Sequence, residues 1–146
     1  MTTDRTDVPD KSETESDRTA EGAKNSAFKE AELAYLIGER RLARVATVGA
    51  DGTPHVVPVG WTYNAELDTI DVGGRDFGTT KKYKDVARSG RAAIVIDDVL
   101  PPWEPRGIEV RGRAEAVSGE QPLIRIYPER IVSWGLQIMD LDPRRA

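Results

Sequence analysis

Apolar side chains enter this chain in one rhythm and leave it in another. In "SAFKEAELAYLIGERR" (26–41), Leu33, Leu36 and Ile37 recur at helical spacing behind Phe28 and Ala31. That spacing predicts one amphipathic helix packed on a sheet. Ser26 is placed to cap its start, and Gly38 weakens its later part. From Leu42 the period becomes two. "LARVATV" (42–48) and "TPHVVPVGWTY" (53–63) flank Asp51-Gly52, a turn dipeptide, and read as a hairpin in which Val57, Val59, Trp61 and Tyr63 share a face. Pro58 has no N–H to donate, so it marks an edge, a bulge or an interruption of its strand. After the turn "NAELD" comes a third strand, "TIDVGG" (69–74). "KKYKDVARSG" (81–90) reads as a short helix with Tyr83, Val86 and Ala87 inward and Gly90 as its stop.

"RAAIVIDD" (91–98) reads as a buried strand, and "PPWEPRG" (101–107) as a proline-rich loop. "GIEVRGRAEAV" (107–117) alternates Ile108, Val110, Gly112, Ala114 and Ala116 against Glu109, Arg111, Arg113 and Glu115, the signature of a half-buried antiparallel strand. In "PLIRIYPERIVSWGL" (122–136), Ile124 and Ile126 face one way and Arg125 and Tyr127 the other. The sum is about six strands on short turns with two short helices. This predicts a mainly β fold, a closed or nearly closed antiparallel barrel, and too few helices for a doubly wound sheet.

Composition narrows the chemistry. Residues 1–25 carry seven acids and four bases, with Met1, Val8, Ala20 and Ala23 as their only apolar side chains. Such a segment cannot offset its ordering entropy and is expected to be a disordered acidic tail, leaving 26–146 as one domain long enough for a compact core. The chain has no Cys and one histidine, His55, which excludes disulfides, cysteine nucleophiles and multi-histidine metal sites. Its longest apolar run, Ala92–Ile96, is too short to span a membrane. With no signal-peptide pattern, the expectation is a cytoplasmic protein. A net charge of −4 argues against nucleic acid as a partner.

Against that acidity, Thr79–Val86, "TTKKYKDV", gathers two threonines and three lysines. Between Arg75 and Arg91 stand six cations (Arg75, Lys81, Lys82, Lys84, Arg88, Arg91) opposed by Asp76 and Asp85 alone. "GGRDFGTT" (73–80) fails both glycine-rich phosphate patterns, with Arg75 where one needs Gly and Thr79 where the other needs Lys. Yet a glycine-rich turn into a helix start offers free N–H groups, a positive dipole end and hydroxyls, which together suit an anion. Lys84 and Arg88 read as a solvated helix face. Lys81 and Lys82 oppose the helix dipole, and a phosphate would explain them. With no side-chain machinery for hydrolysis or acyl transfer, an enzyme built on this chain would rely on a bound cofactor.

These segments, in this order, resemble the split-barrel flavin and deazaflavin oxidoreductases, the superfamily of pyridoxamine 5'-phosphate oxidase, and within it the actinobacterial branch that uses coenzyme F420. The resemblance covers roughly Ala31 to Leu136. It implies a six-stranded split β-barrel that forms a homodimer with two cofactor sites at the interface. It implies a cofactor phosphate against Thr79, Thr80, Lys81 and Lys82, with Arg75 in reach and Lys82 the first choice of lysine. It also implies a ring lined by His55, Val57 and Pro58, lying on Gly73 and Gly74 and covered by Trp103 of the partner subunit. The chain ends without the R-x-H element of the pyridoxamine phosphate oxidases.

The implied function is hydride transfer from reduced F420 to an activated double bond of a small conjugated substrate; quinones, coumarin-like lactones, tetrapyrroles and tetracycline-type intermediates are reduced within the family. Tyr63 and Tyr127 are the alternatives to solvent as proton source. Two other readings stay open on the same fold: an FMN-binding oxidoreductase, and a protein that binds and stores a deazaflavin without turnover.

Overall fold

The structure, a computed structural model, describes residues 25–39 and 41–136. The acidic segment 1–25 therefore lies outside the described residues but for Asn25, as do the last ten positions.

Helix α1 spans Glu30–Ile37. It begins four residues after Ser26, whose hydroxyl instead donates to Asp68 (2.6 Å) and accepts from the Phe28 amide (3.0 Å). The start is held by Glu32, which accepts from the Lys29 amide at 2.8 Å. Gly38 ends the helix, its N–H reaching the Ala34 carbonyl.

Six strands follow: β1 (Ala43–Val48), β2 (Pro54–Asn64), β3 (Thr69–Gly73), β4 (Arg91–Leu100), β5 (Glu104–Val117) and β6 (Leu123–Trp134). They close an antiparallel barrel in the order β1-β2-β3-β6-β5-β4. Alternation along each strand sends Val45, Val59, Trp61, Ile70, Val72, Ile94, Ile96, Ile108, Val110, Ile124 and Ile126 into one core. Each fully buried Ile or Val contributes about 1.5–3 kcal/mol. Gly112 is required by close approach: a Cβ there would lie 2.0 Å from the Tyr127 carbonyl oxygen, at the register shift between β5 and β6.

Pro58 sits opposite Arg44 in an unbroken β1–β2 register. β3 starts pairing with β2 only at Gly60, so Pro54–Val59 is paired on one side alone and a proline there is tolerated. The expected loop 101–107 is a correction. β4 and β5 pair as far as Leu100↔Glu104, leaving only Pro101–Trp103 as the turn. β1 leaves β4 at Ile96 and β6 leaves β5 at Gly107, so 97–106 form a two-stranded arm that tolerates Pro105 at its edge.

A 3-10 turn (Phe77–Thr79) and helix α2 (Lys81–Ser89) join β3 to β4. Tyr83 and Val86 face the barrel as expected, but Ala87 is exposed. Its expected place inward belongs to Asp85, 4% exposed and bonded to the Thr47 hydroxyl at 3.0 Å. A carboxylate at that position is invisible to a reading that keeps only apolar residues inside.

Candidate functional site

β3 ends in Gly73 and the chain leaves the barrel through Gly74–Asp76. Opposite, the β5–β6 turn runs through Gly119–Pro122. Between them lies a cleft of about 790 Å³, floored by Gly60, Thr62, Asp71 and Gly73 and walled by Arg75–Thr79 on one side and Gly119–Leu123 on the other. The floor has little side chain because Gly60 of β2 pairs directly with Gly73 of β3. A Cβ on Gly60 would meet nothing within 4 Å.

The expected site residues divide. Gly73, Gly74, Arg75 and Thr79 line the cleft. Thr80, Lys81 and Lys82 stand beyond it at the start of α2. Thr80 caps the helix, accepting from the Tyr83 amide at 3.3 Å while donating to the Phe77 carbonyl at 2.7 Å. The amides of Lys81 and Lys82 have no carbonyl four residues back within the helix. Lys81 has a structural reason the sequence reading did not weigh: its ammonium reaches Asp85, 3.4 Å away and one turn on. The Lys82 ammonium stands 5.1 Å from the centre of the Phe77 ring. Arg75 is exposed and has no ion-pair partner among the described residues.

On β2, the outward face is Val56, Pro58, Gly60 and Thr62. Pro58 thus shares the side of the glycine floor, whereas His55 and Val57 project to the other side. The His55 imidazole folds over the β1–β2 turn, its Nε2 2.9 Å from where a Gly49 Cβ would stand. Trp103 is 75% exposed at the tip of the β4–β5 arm. Neither tyrosine considered as a proton source borders the cleft. Burial, and then the bond its hydroxyl donates to Asp68, push Tyr63 up to about 12, and Tyr127 donates to Glu115.

Two features escaped the sequence reading. Asp71, 8% exposed in the cleft floor, is forked by Arg125 at 3.1 and 3.0 Å and bonded by Asn64 and Thr69. Burial pushes its carboxyl up, but the Arg125 bonds with those of Asn64 and Thr69 outweigh it and hold the group below its ordinary value. The other is the Gly119–Pro122 wall, which joins the site only because β6 pairs with β3. Among the described residues no group of three or more His, Asp or Glu is placed to hold a metal, and no helix is long and apolar enough to cross a membrane.

A closed six-stranded barrel of this order, with a short helix bridging β3 and β4 above such a cleft, is a pyridoxamine 5'-phosphate oxidase-like fold. The family model for pyridoxamine 5'-phosphate oxidase matches residues 30–146, and the chain belongs to that family. It is 39% identical over 121 residues to a 5a,11a-dehydrotetracycline/5a,11a-dehydrooxytetracycline reductase of Streptomyces rimosus, covering 75% of this chain and 84% of that protein. Among solved structures, a conserved hypothetical protein from Mycobacterium tuberculosis superposes with a TM-score of 0.63 at 19% identity, over 81% of this chain and 91% of that one. An F420 reductase does so with a TM-score of 0.53 at 17% identity, over 68% and 94%.

Proposed function

We propose that this protein is an F420-dependent reductase that delivers a hydride to an activated double bond of a flat, conjugated, polycyclic substrate of the tetracycline type, and that it works as a homodimer. The observation that carries the reaction class is the kinship with a dehydrotetracycline reductase across most of both chains. The site is supported by the cleft, whose glycine floor runs into a helix start that bears cations.

The residues present fit a phosphorylated deazaflavin. A planar ring needs a floor free of side chains, and Gly60, Gly73 and Gly74 supply one beside Pro58. A phosphate needs unpaired N–H groups and positive charge; the Lys81 and Lys82 amides, Arg75 and the Lys82 ammonium supply them, whereas the Thr79 amide and hydroxyl both donate to the Asp76 carbonyl. His55 and Val57 project to the other side of β2 from this floor, and Trp103, at the exposed tip of the β4–β5 arm, would reach a ring only from a second subunit. When bound in reduced form, F420 supplies the hydride. The protein's part would be to hold donor and acceptor in contact and exclude water. The dimer is supported by the half-paired stretch Pro54–Val59, where Val56 is 65% exposed beside an open ladder edge.

Titration with F420 and separately with FMN, followed by fluorescence, tests the reading. Wild type is expected to bind F420 near the micromolar range, on the order of −8 kcal/mol. Lys82→Ala is expected to weaken it about 10- to 100-fold, the worth of a charge-assisted hydrogen bond. Tighter binding of FMN would keep the fold and replace the cofactor. Tight F420 binding without turnover of any substrate would make this a storage protein.

A further inference from the structure

The wall of the cleft formed by the β5–β6 turn contributes no residue to the proposed phosphate site, yet it is built firmly. Gly119 takes φ +139°, a conformation closed to other residues, and turns the chain toward the cleft. Beyond it Leu123 pairs with Gly73, and Pro122 lies 3.4 Å from the Cβ position of Gly78, so the turn is seated against the opposite wall. Between these anchors Glu120 and Gln121 line the cleft, are exposed, and have no hydrogen-bond or ion-pair partner among the described residues. Asp71 in the floor is already spent on Arg125. Resting on the reductase reading above, we infer that Glu120 and Gln121 are the specificity-determining residues for the hydride-accepting substrate. A carboxylate and an amide at one rim recognise a ring system edged with hydroxyl and amide groups.

The test is steady-state kinetics of the full chain with reduced F420 as donor and 5a,11a-dehydrotetracycline as substrate, for wild type, Glu120→Gln, Glu120→Ala and Gln121→Ala, with melting temperatures alongside. Glu120→Ala is expected to raise the KM for the tetracycline by about tenfold, a lost hydrogen bond to a charged group. The KM for F420 and the melting temperature should hold, since neither side chain supports the fold. Glu120→Gln should fall between. Unchanged tetracycline KM in all three variants, in an active wild type, overturns the rim alone. A rise in the F420 KM instead overturns it by assigning the turn to the cofactor. A wild type that neither binds F420 nor reduces the tetracycline overturns the rim together with the reductase reading.

Discussion

Gly60 occupies the middle of an 11-residue strand, where glycine usually weakens the sheet by about 0.5–1 kcal/mol relative to alanine. Its φ lies outside the left-handed region, and a Cβ would touch nothing. The fold therefore does not ask for glycine, and the open cleft above it does. Gly60→Val is expected to leave the thermal midpoint unchanged or raise it, while weakening F420 binding by at least about tenfold through loss of the flat floor; melting and titration of one preparation check both. Asp71→Asn should behave in the opposite way. It removes the charge partner of a largely buried Arg125 and should lower stability by about 2–3 kcal/mol in urea unfolding.

The elements show why some of this was legible in the chain and some was not. Strands with a clean period of two, such as Ile108–Ala116, were read correctly from polarity alone. The β4–β5 arm was not, because Pro101, Pro102 and Pro105 resemble loop residues; the first two do form the turn, and β5 carries Pro105 because β6 pairs with it only from Gly107 on. The wall and helix start at Gly73–Lys82, where a phosphate is proposed, stood out as a local run. The opposite wall did not, because nothing near Glu120 in sequence refers to β3. The junction of α1 with the arm was equally hidden. There Arg106 forks Asp98 at 2.8 and 3.0 Å, and Tyr35 donates to it at 2.7 Å. The Arg106 bonds, opposed by burial and helped by Tyr35 and Arg41, hold the Asp98 carboxyl down at about 2, from an ordinary 3.8. A depressed carboxyl contributes stability that is present above its unfolded value and lost as pH falls through the folded one. Urea unfolding between pH 5 and about 2 should show that loss, and Asp98→Asn should flatten this part of the profile.

For the whole molecule, the closed barrel leaves Pro54–Val59 of β2 unpaired on one side, beside exposed Val56. On the proposed homodimer, Val56→Asp is expected to halve the mass seen by light scattering and to weaken F420 binding in step, whereas Leu67→Asp, exposed in the β2–β3 turn, should leave the mass unchanged. The order of strands carries one more consequence. Most neighbours in the barrel are neighbours in sequence, but β1–β4 and β3–β6 are seams between distant parts of the chain, and such pairings form slowly. The cleft lies along the second seam, between Gly73 and Leu123. Its two walls exist as a pair only once the last strand has zipped home. Ligand capture should therefore serve as a clock hand for completed folding. In stopped-flow refolding, F420 fluorescence is expected to change with the slowest phase, after the far-ultraviolet signal of the hairpins has settled.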